Sequence, residues 1–145
     1  MRSGVQSGDP GHDPNRTARM TTKDHTVAAV YYDGSCPLCT AEIGHYRRCA
    51  GADAIAFVDV SSPGAEPGPD LSQDAAMARF HVRTGDGALL SGAAGFAALW
   101  STLPGWRWVG RAASHPAATK LLEHAYRAFL PVRPALARLV GRLQR

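Results

Sequence analysis

Two cysteines three residues apart, Cys36 and Cys39, are the side chains in this sequence best suited to do chemistry. The thiolate, not the thiol, attacks a disulfide or ligates a metal, so such a pair works only where its surroundings stabilise a negative sulfur. Cys36 follows an apolar run and a Gly34-Ser35 break, and directly precedes Pro37. Proline tolerates the first helical position because the N–H it lacks would have no partner there, so Pro37 marks a helix start. Cys36 is therefore predicted at a helix N-terminus, where unpaired N–H groups and the positive end of the helix dipole favour an anion. It is expected to be the exposed nucleophile. Cys39 shares a helix face with Ile43, Tyr46 and Ala50, the predicted core face, and is expected to be the buried resolving thiol.

Other uses of the pair fit less well. Cysteines also serve as small core hydrophobes, but this pair stands where strand meets helix. Zinc commonly takes two Cys-x-x-Cys pairs, or one pair with histidines. This chain has no second pair, and His45 and Cys49 lie about 240° and 280° round the helix from Cys39, so they do not converge with it. Cys49 reads as a passive thiol. No metal and no organic cofactor is expected. Asp33 has two readings: its carboxylate relays protons for the pair, or it accepts hydrogen bonds from the Gly34-Ser35 turn. Close to Cys36, its charge would oppose ionisation of that thiol.

The elements that must hold these residues are legible in the apolar pattern. Val27–Tyr32 is a nearly continuous apolar run with β-branched and aromatic members, as in a buried central strand. From Cys36 to about Ala50 the pattern is helical, and Gly51 suits the helix end. Ile55–Val60 predicts a second strand, parallel to the first if the helix crosses over between them. The Pro- and Gly-rich segment 61–70 is a loop, and Ser72 opens a short helix to about Arg79. Phe80–Arg83 and Ala88–Ser91 predict a hairpin, followed by a helix over Ala93–Leu103. The resulting order is β-α-β-α-β-β-α, an α/β fold. The rest is predicted helical, broken at Pro116, Pro131 and Pro134.

The chain of 145 residues suits one domain. Its 45% hydrophobic and 19% charged residues and its mean hydropathy of −0.19 are those of a globular protein. No stretch approaches the roughly 18 apolar residues of a spanning helix. Residues 1–25, rich in Gly, Pro, Asp and Ser, are expected to form a disordered leader, with Met20 an alternative start. Without an apolar leader segment the expected location is cytoplasmic, where structural disulfides are rare. From Pro104 onward, eight basic residues face the single acid Glu123, a net +7 that leaves residues 1–103 at −3 of the chain's +4.

Tyr32-Asp33-Gly34-Ser35-Cys36-Pro37-Leu38-Cys39 resembles the signature of the bacterial DCC family, D-x-x-C-x-x-C, described as thiol–disulfide oxidoreductases with a thioredoxin-like fold. The likeness extends through Phe57-Val58-Asp59, Phe80-His81-Val82, Leu90-Ser91-Gly92-Ala93 and Leu103-Pro104-Gly105-Trp106, covering about residues 27–130. It implies a thioredoxin-like three-layer domain over 26–130 and maps Asp33, Cys36 and Cys39 onto the three signature positions. Cys-Pro-Leu-Cys is also similar to the Cys-Pro-x-Cys of glutaredoxins, and Leu90-Ser91-Gly92 to their glycine turn. Thioredoxins and glutaredoxins carry a cis-proline before the third strand that docks substrate backbone. Here that place falls near Ala78-Arg79, without a proline, so that docking mode does not transfer.

The expected activity is reduction or exchange of a disulfide in a protein or low-molecular-weight thiol partner, with electrons from another thiol system. The alternative is a non-enzymatic redox-sensing or membrane- or partner-binding module with a basic C-terminal helical tail. Residues 131–145 predict a basic amphipathic helix, with Leu136, Leu139, Val140 and Leu143 recurring at helical spacing and Arg138, Arg142 and Arg145 elsewhere on it. Capping the core with its arginines solvated is the favoured reading; lying on anionic lipid is the other. Trp106 and Trp108 are expected to pack the following helix onto the domain. The scattered His12, His25, His81, His115 and His124 suggest no shared site, and no nucleic-acid-reading motif is present.

Overall fold

The computed structural model describes residues 25–145. The leader expected over 1–25, His25 apart, lies outside the described residues, as do Met20 and His12. Four strands form one mixed sheet in the order β2-β1-β3-β4: β1 (Val27–Tyr32), β2 (Ala56–Asp59), β3 (His81–Thr84) and β4 (Leu89–Ser91). β1 pairs parallel with β2, placing Tyr32 opposite Asp59, and antiparallel with β3, placing Tyr31 opposite His81. β3 and β4 form the antiparallel hairpin.

The parallel pair requires a crossover, which α1 (Pro37–Arg47) supplies. Successive strand residues point to opposite faces, so each face has its own core. On one face Val27, Val30 and Val82 pack with Ile43 and Tyr46 of α1, and with Leu99 and Leu103 at α3 (Gly92–Thr102). On the other, Tyr31 and Val60 pack with Leu71 and with Ala76 of α2 (Gln73–Ala78). The result is three layers in the order β-α-β-α-β-β-α, consistent with the thioredoxin-like expectation.

Three helices follow: α4 (Arg107–Ala113), α5 (Pro116–Phe129) and α6 (Arg133–Leu143). The Glu123 carboxylate of α5 accepts from Arg79 at 2.6 Å and from the Ala93 N–H at the start of α3 at 3.1 Å. A negative charge there complements the positive helix end. Among the described residues no helix is long and apolar enough to cross a membrane.

Several expectations need correction. α1 ends at Arg47 rather than near Ala50, because Arg48 and Cys49 close the last turn with short bonds back to His45 and Tyr46, and left-handed Gly51 redirects the chain. Trp106 packs as expected, stacked on Trp100 at 6.1 Å, but Trp108 is exposed. α4 instead meets α3 through Gly110 and Ala113. α6 does cap the domain, packing on α1 with Arg138, Arg142 and Arg145 exposed, but it does not dock through its leucines. Arg133, Ala137, Val140 and Gly141 are its half-buried residues, while Leu136, Leu139 and Leu143 are exposed.

A Cβ on Gly110 would fall 2.4 Å from the Ser101 backbone nitrogen, whereas one on Gly105 meets open space. Gly110→Ala is expected to destabilise the fold by about 1–3 kcal/mol in chemical denaturation. Gly105→Ala is expected to change stability by less than about 0.5 kcal/mol.

Candidate functional site

The site forms where β1 ends and α1 begins. Cys36 is the N-cap of α1, its backbone extended at φ −89° and ψ 115°, with Pro37 at the first helical position. Extended geometry turns a cap side chain back over the first turn, where it accepts from an otherwise unpartnered N–H. Here the acceptor is sulfur: the Cys39 N–H donates to Cys36 Sγ at 3.3 Å. The Thr40 N–H and Oγ1 both donate to the Cys36 carbonyl, at 2.9 and 3.0 Å, closing the turn below it. A thiolate at Cys36 thus meets a donor already aimed at it. All three cysteines are free thiols.

Two carboxylates hold the loop that delivers Cys36. Asp33 Oδ1 accepts from the Ser35 N–H at 2.9 Å and from Ser35 Oγ at 2.5 Å. The turn-stabilising geometry read from the sequence is therefore present, and Asp33 also lines the cavities on both sides of the cysteine pair. Asp59, at the end of β2, accepts from the Gly34 N–H at 2.9 Å and from the Ser61 N–H and Oγ at 2.9 and 2.6 Å. These hydrogen bonds hold its carboxyl below the usual carboxylate range. Gly34 is required because a Cβ there would lie 2.0–2.5 Å from the Asp59 carboxylate.

The exposures of the two thiols reverse expectation. Cys36 is buried and Cys39 only half-buried. α6 crosses the start of α1 with Gly141 against Pro37 and borders Cys36. Cys36 faces a cavity of about 600 Å³ between the loop and α6. Cys39 lines a smaller cavity of about 40 Å³ with Phe80, Phe96, Tyr126 and Arg133. Burial pushes the Cys39 thiol up to about 12; its hydrogen bond to Cys36 and the negative charge of Cys36 add to the rise, and Arg133 opposes it. Cys39 is therefore protonated at neutral pH.

Cys36, Cys39, Asp33, Gly34, Ser35 and Pro37 all lie in this one loop and first helical turn. His45 and Cys49 stand 4.0 Å apart, with His45 edge-on to Trp106, and Cys49 packs against the core. Sequence reasoning missed two contributors. One is Asp59, whose Asp-x-Ser pattern with Ser61 repeats that of Asp33 and Ser35 at the end of the neighbouring strand. The other is the arginine side of α6, for which no local signal exists. The Phe80 N–H, beside the position of the missing cis-proline, donates to Tyr126 Oη at 2.8 Å, and no cis peptide occurs among the described residues. That backbone N–H is thus already engaged by α5.

A family model described as DCC1-like thiol-disulfide oxidoreductase matches residues 30–139. No curated protein and no solved structure matches the chain.

Asp59→Ala leaves three donors without their acceptor and is expected to cost about 1–3 kcal/mol in urea denaturation. The sign with pH follows from the lowered folded value. The contribution of Asp59 is complete above the ordinary carboxylate range and is lost as pH falls through the folded value. The stability gap between the native chain and Asp59→Ala should therefore narrow in acid.

Proposed function

The chain belongs to the DCC1-like thiol–disulfide oxidoreductase family, and from that premise we propose a two-step dithiol exchange in which Cys36 attacks and Cys39 resolves. The observation that carries this reading is the Cys39 N–H aimed at Cys36 Sγ in the mouth of α1. It favours negative charge on the first sulfur. The second sulfur keeps its proton until it is needed.

In the first step Cys36 Sγ, as thiolate, attacks one sulfur of the substrate disulfide. The Cys36–substrate bond forms, the substrate's own S–S bond breaks, and the departing thiolate takes a proton from water. In the second step Cys39 gives up its proton and its sulfur attacks Cys36 Sγ. The Cys36–Cys39 bond forms and the second substrate thiol leaves. Two electrons pass from the protein dithiol to the substrate, and a separate thiol donor must return them.

The electrostatics order these steps. The Cys36 charge and hydrogen bond help to hold the proton on Cys39, and both disappear once Cys36 is in a mixed disulfide. Arg133 then acts on Cys39 with less opposition, so the resolving thiol acidifies at the stage that requires it. Asp33, beside both cavities, is placed to accept that proton while Ser35 holds its other role in the turn. Pro37 fixes the helix start, and Gly34 admits Asp59 against the loop.

Cys39→Ser treated with bis(2-hydroxyethyl) disulfide should accumulate a mixed disulfide on Cys36, seen as an intact-mass adduct and placed by peptide mapping. Under the same conditions the native chain should end with a Cys36–Cys39 bond. Cys36→Ser should lose about a hundredfold or more in exchange rate. An adduct confined to Cys39 or Cys49 would contradict the assignment.

A further inference from the structure

The geometry points to a substrate class: a low-molecular-weight disulfide carrying negative charges on both sides of its sulfurs. This rests on the exchange reading above and concerns which disulfide reaches Cys36. Only 7% of the Cys36 surface is exposed. Its approach is the cavity of about 600 Å³ between the Asp33–Pro37 loop and α6. That volume is ordinary for a small-molecule site. A folded protein presenting a disulfide would first have to displace α6, whereas a small molecule enters beside it.

The charge around this cavity is one-sided. Arg133, Arg138 and Arg142 of α6 line it together with Arg145 just beyond the helix end, against the single carboxylate of Asp33, which is engaged with Ser35. Arg133 donates to the Met77 carbonyl and Arg138 to the Pro134 carbonyl of its own helix. Among the described residues none of the four is paired with a carboxylate. By contrast Arg79, Arg83 and Arg127 all are. Arg138, Arg142 and Arg145 stay exposed around the cavity, and Leu136, Leu139 and Leu143 are exposed too, so α6 docks through Arg133, Ala137, Val140 and Gly141 rather than its leucines, against what hydrophobic burial alone favours. Gly141 stands against Pro37 at the start of α1, which brings the arginines of this segment to the border of the cavity at Cys36. Arginine recognises carboxylate and phosphate alike through paired N–H donors.

This arrangement also offsets a defect of simple thiols, whose own negative sulfur repels anionic disulfides. An arginine-lined entrance reverses that order by raising the local concentration of anions.

The test uses three disulfides of similar size: 3,3′-dithiodipropionate, bis(2-hydroxyethyl) disulfide and cystamine, which are dianionic, neutral and dicationic. Their rates with the reduced full-length chain are measured by stopped flow. Each rate is divided by that of a small alkyl thiol with the same disulfide. At low salt the normalised rate for the dianion should exceed that for the dication by about tenfold or more. In about 1 M salt, where the screening length is about 3 Å, the preference should fall to within about twofold. The paired change Arg138→Gln with Arg142→Gln should produce a similar fall without added salt. If that variant loses helicity, the salt series on the unaltered chain still decides. Equal normalised rates, or the dication fastest, would overturn the inference and leave the exchange mechanism standing. Failure of all three disulfides to oxidise Cys36 would overturn the exchange reading itself.

Discussion

One hydrogen bond organises the chemistry of this protein: the N–H of Cys39 donating to the sulfur of Cys36 across the first turn of α1. It exists only because Cys36 is the N-cap, with extended backbone, and Pro37 begins the helix. An N-cap is ordinarily an oxygen-bearing residue. Sulfur in that place converts a structural device into a chemical one, since the donor that satisfies the helix also stabilises a thiolate. The same turn holds Cys39 close to Cys36, so in the proposed exchange stabilisation and resolution share one piece of backbone.

The surrounding fold keeps that turn in place. Parallel pairing of β1 with β2 sets Tyr32 beside Asp59, which lets the Asp59 carboxylate reach the Gly34 N–H. Gly34 gives it room, and Asp33 closes the loop from the other side through Ser35. Deeper in, Trp100 Nε1 donates to Tyr46 Oη at 3.0 Å, and Tyr46 Oη donates to Glu42 at 3.0 Å, joining α3 to the core face of α1. The helix that presents the cysteines is thus fixed at its mouth by carboxylates and along its length by aromatic packing. α6 adds a boundary to this site. It narrows access to Cys36 and places basic side chains at the remaining opening.

Much of this was legible before any coordinates, and the reasons are physical. The apolar run of β1 and the Pro37 signal are local, so strand, turn and helix start emerge directly from residue types. The Asp33-Gly34-Ser35 turn is local too, and its hydrogen bonds follow the Asx pattern. What escaped was set by tertiary docking. Helical periodicity separates the leucines of residues 133–143 from the arginines, but it carries no information about which residues meet the domain; Val140, grouped with the leucines, is half-buried with Ala137 and Gly141. The structure docks α6 through Arg133, Ala137, Val140 and Gly141 and sets its other arginines around the cavity at Cys36, where the exposed and buried thiols are exchanged relative to expectation. Asp59 was similarly out of reach, because its role depends on Gly34, 25 residues away in sequence and brought beside it by the pairing of β1 with β2.

The central claim is that the α1 mouth makes the two sulfurs chemically unequal, with the negative charge on Cys36 and the proton on Cys39. Competition alkylation of the reduced chain with iodoacetamide, resolved thiol by thiol by mass spectrometry over a range of pH, reads this inequality directly. Iodoacetamide is uncharged and small enough to enter the cavity. Cys36 should be modified first at every pH, while Cys39 in the unmodified dithiol should lag until strongly alkaline conditions. Equal rates at the two thiols, rising together with pH, would contradict the account.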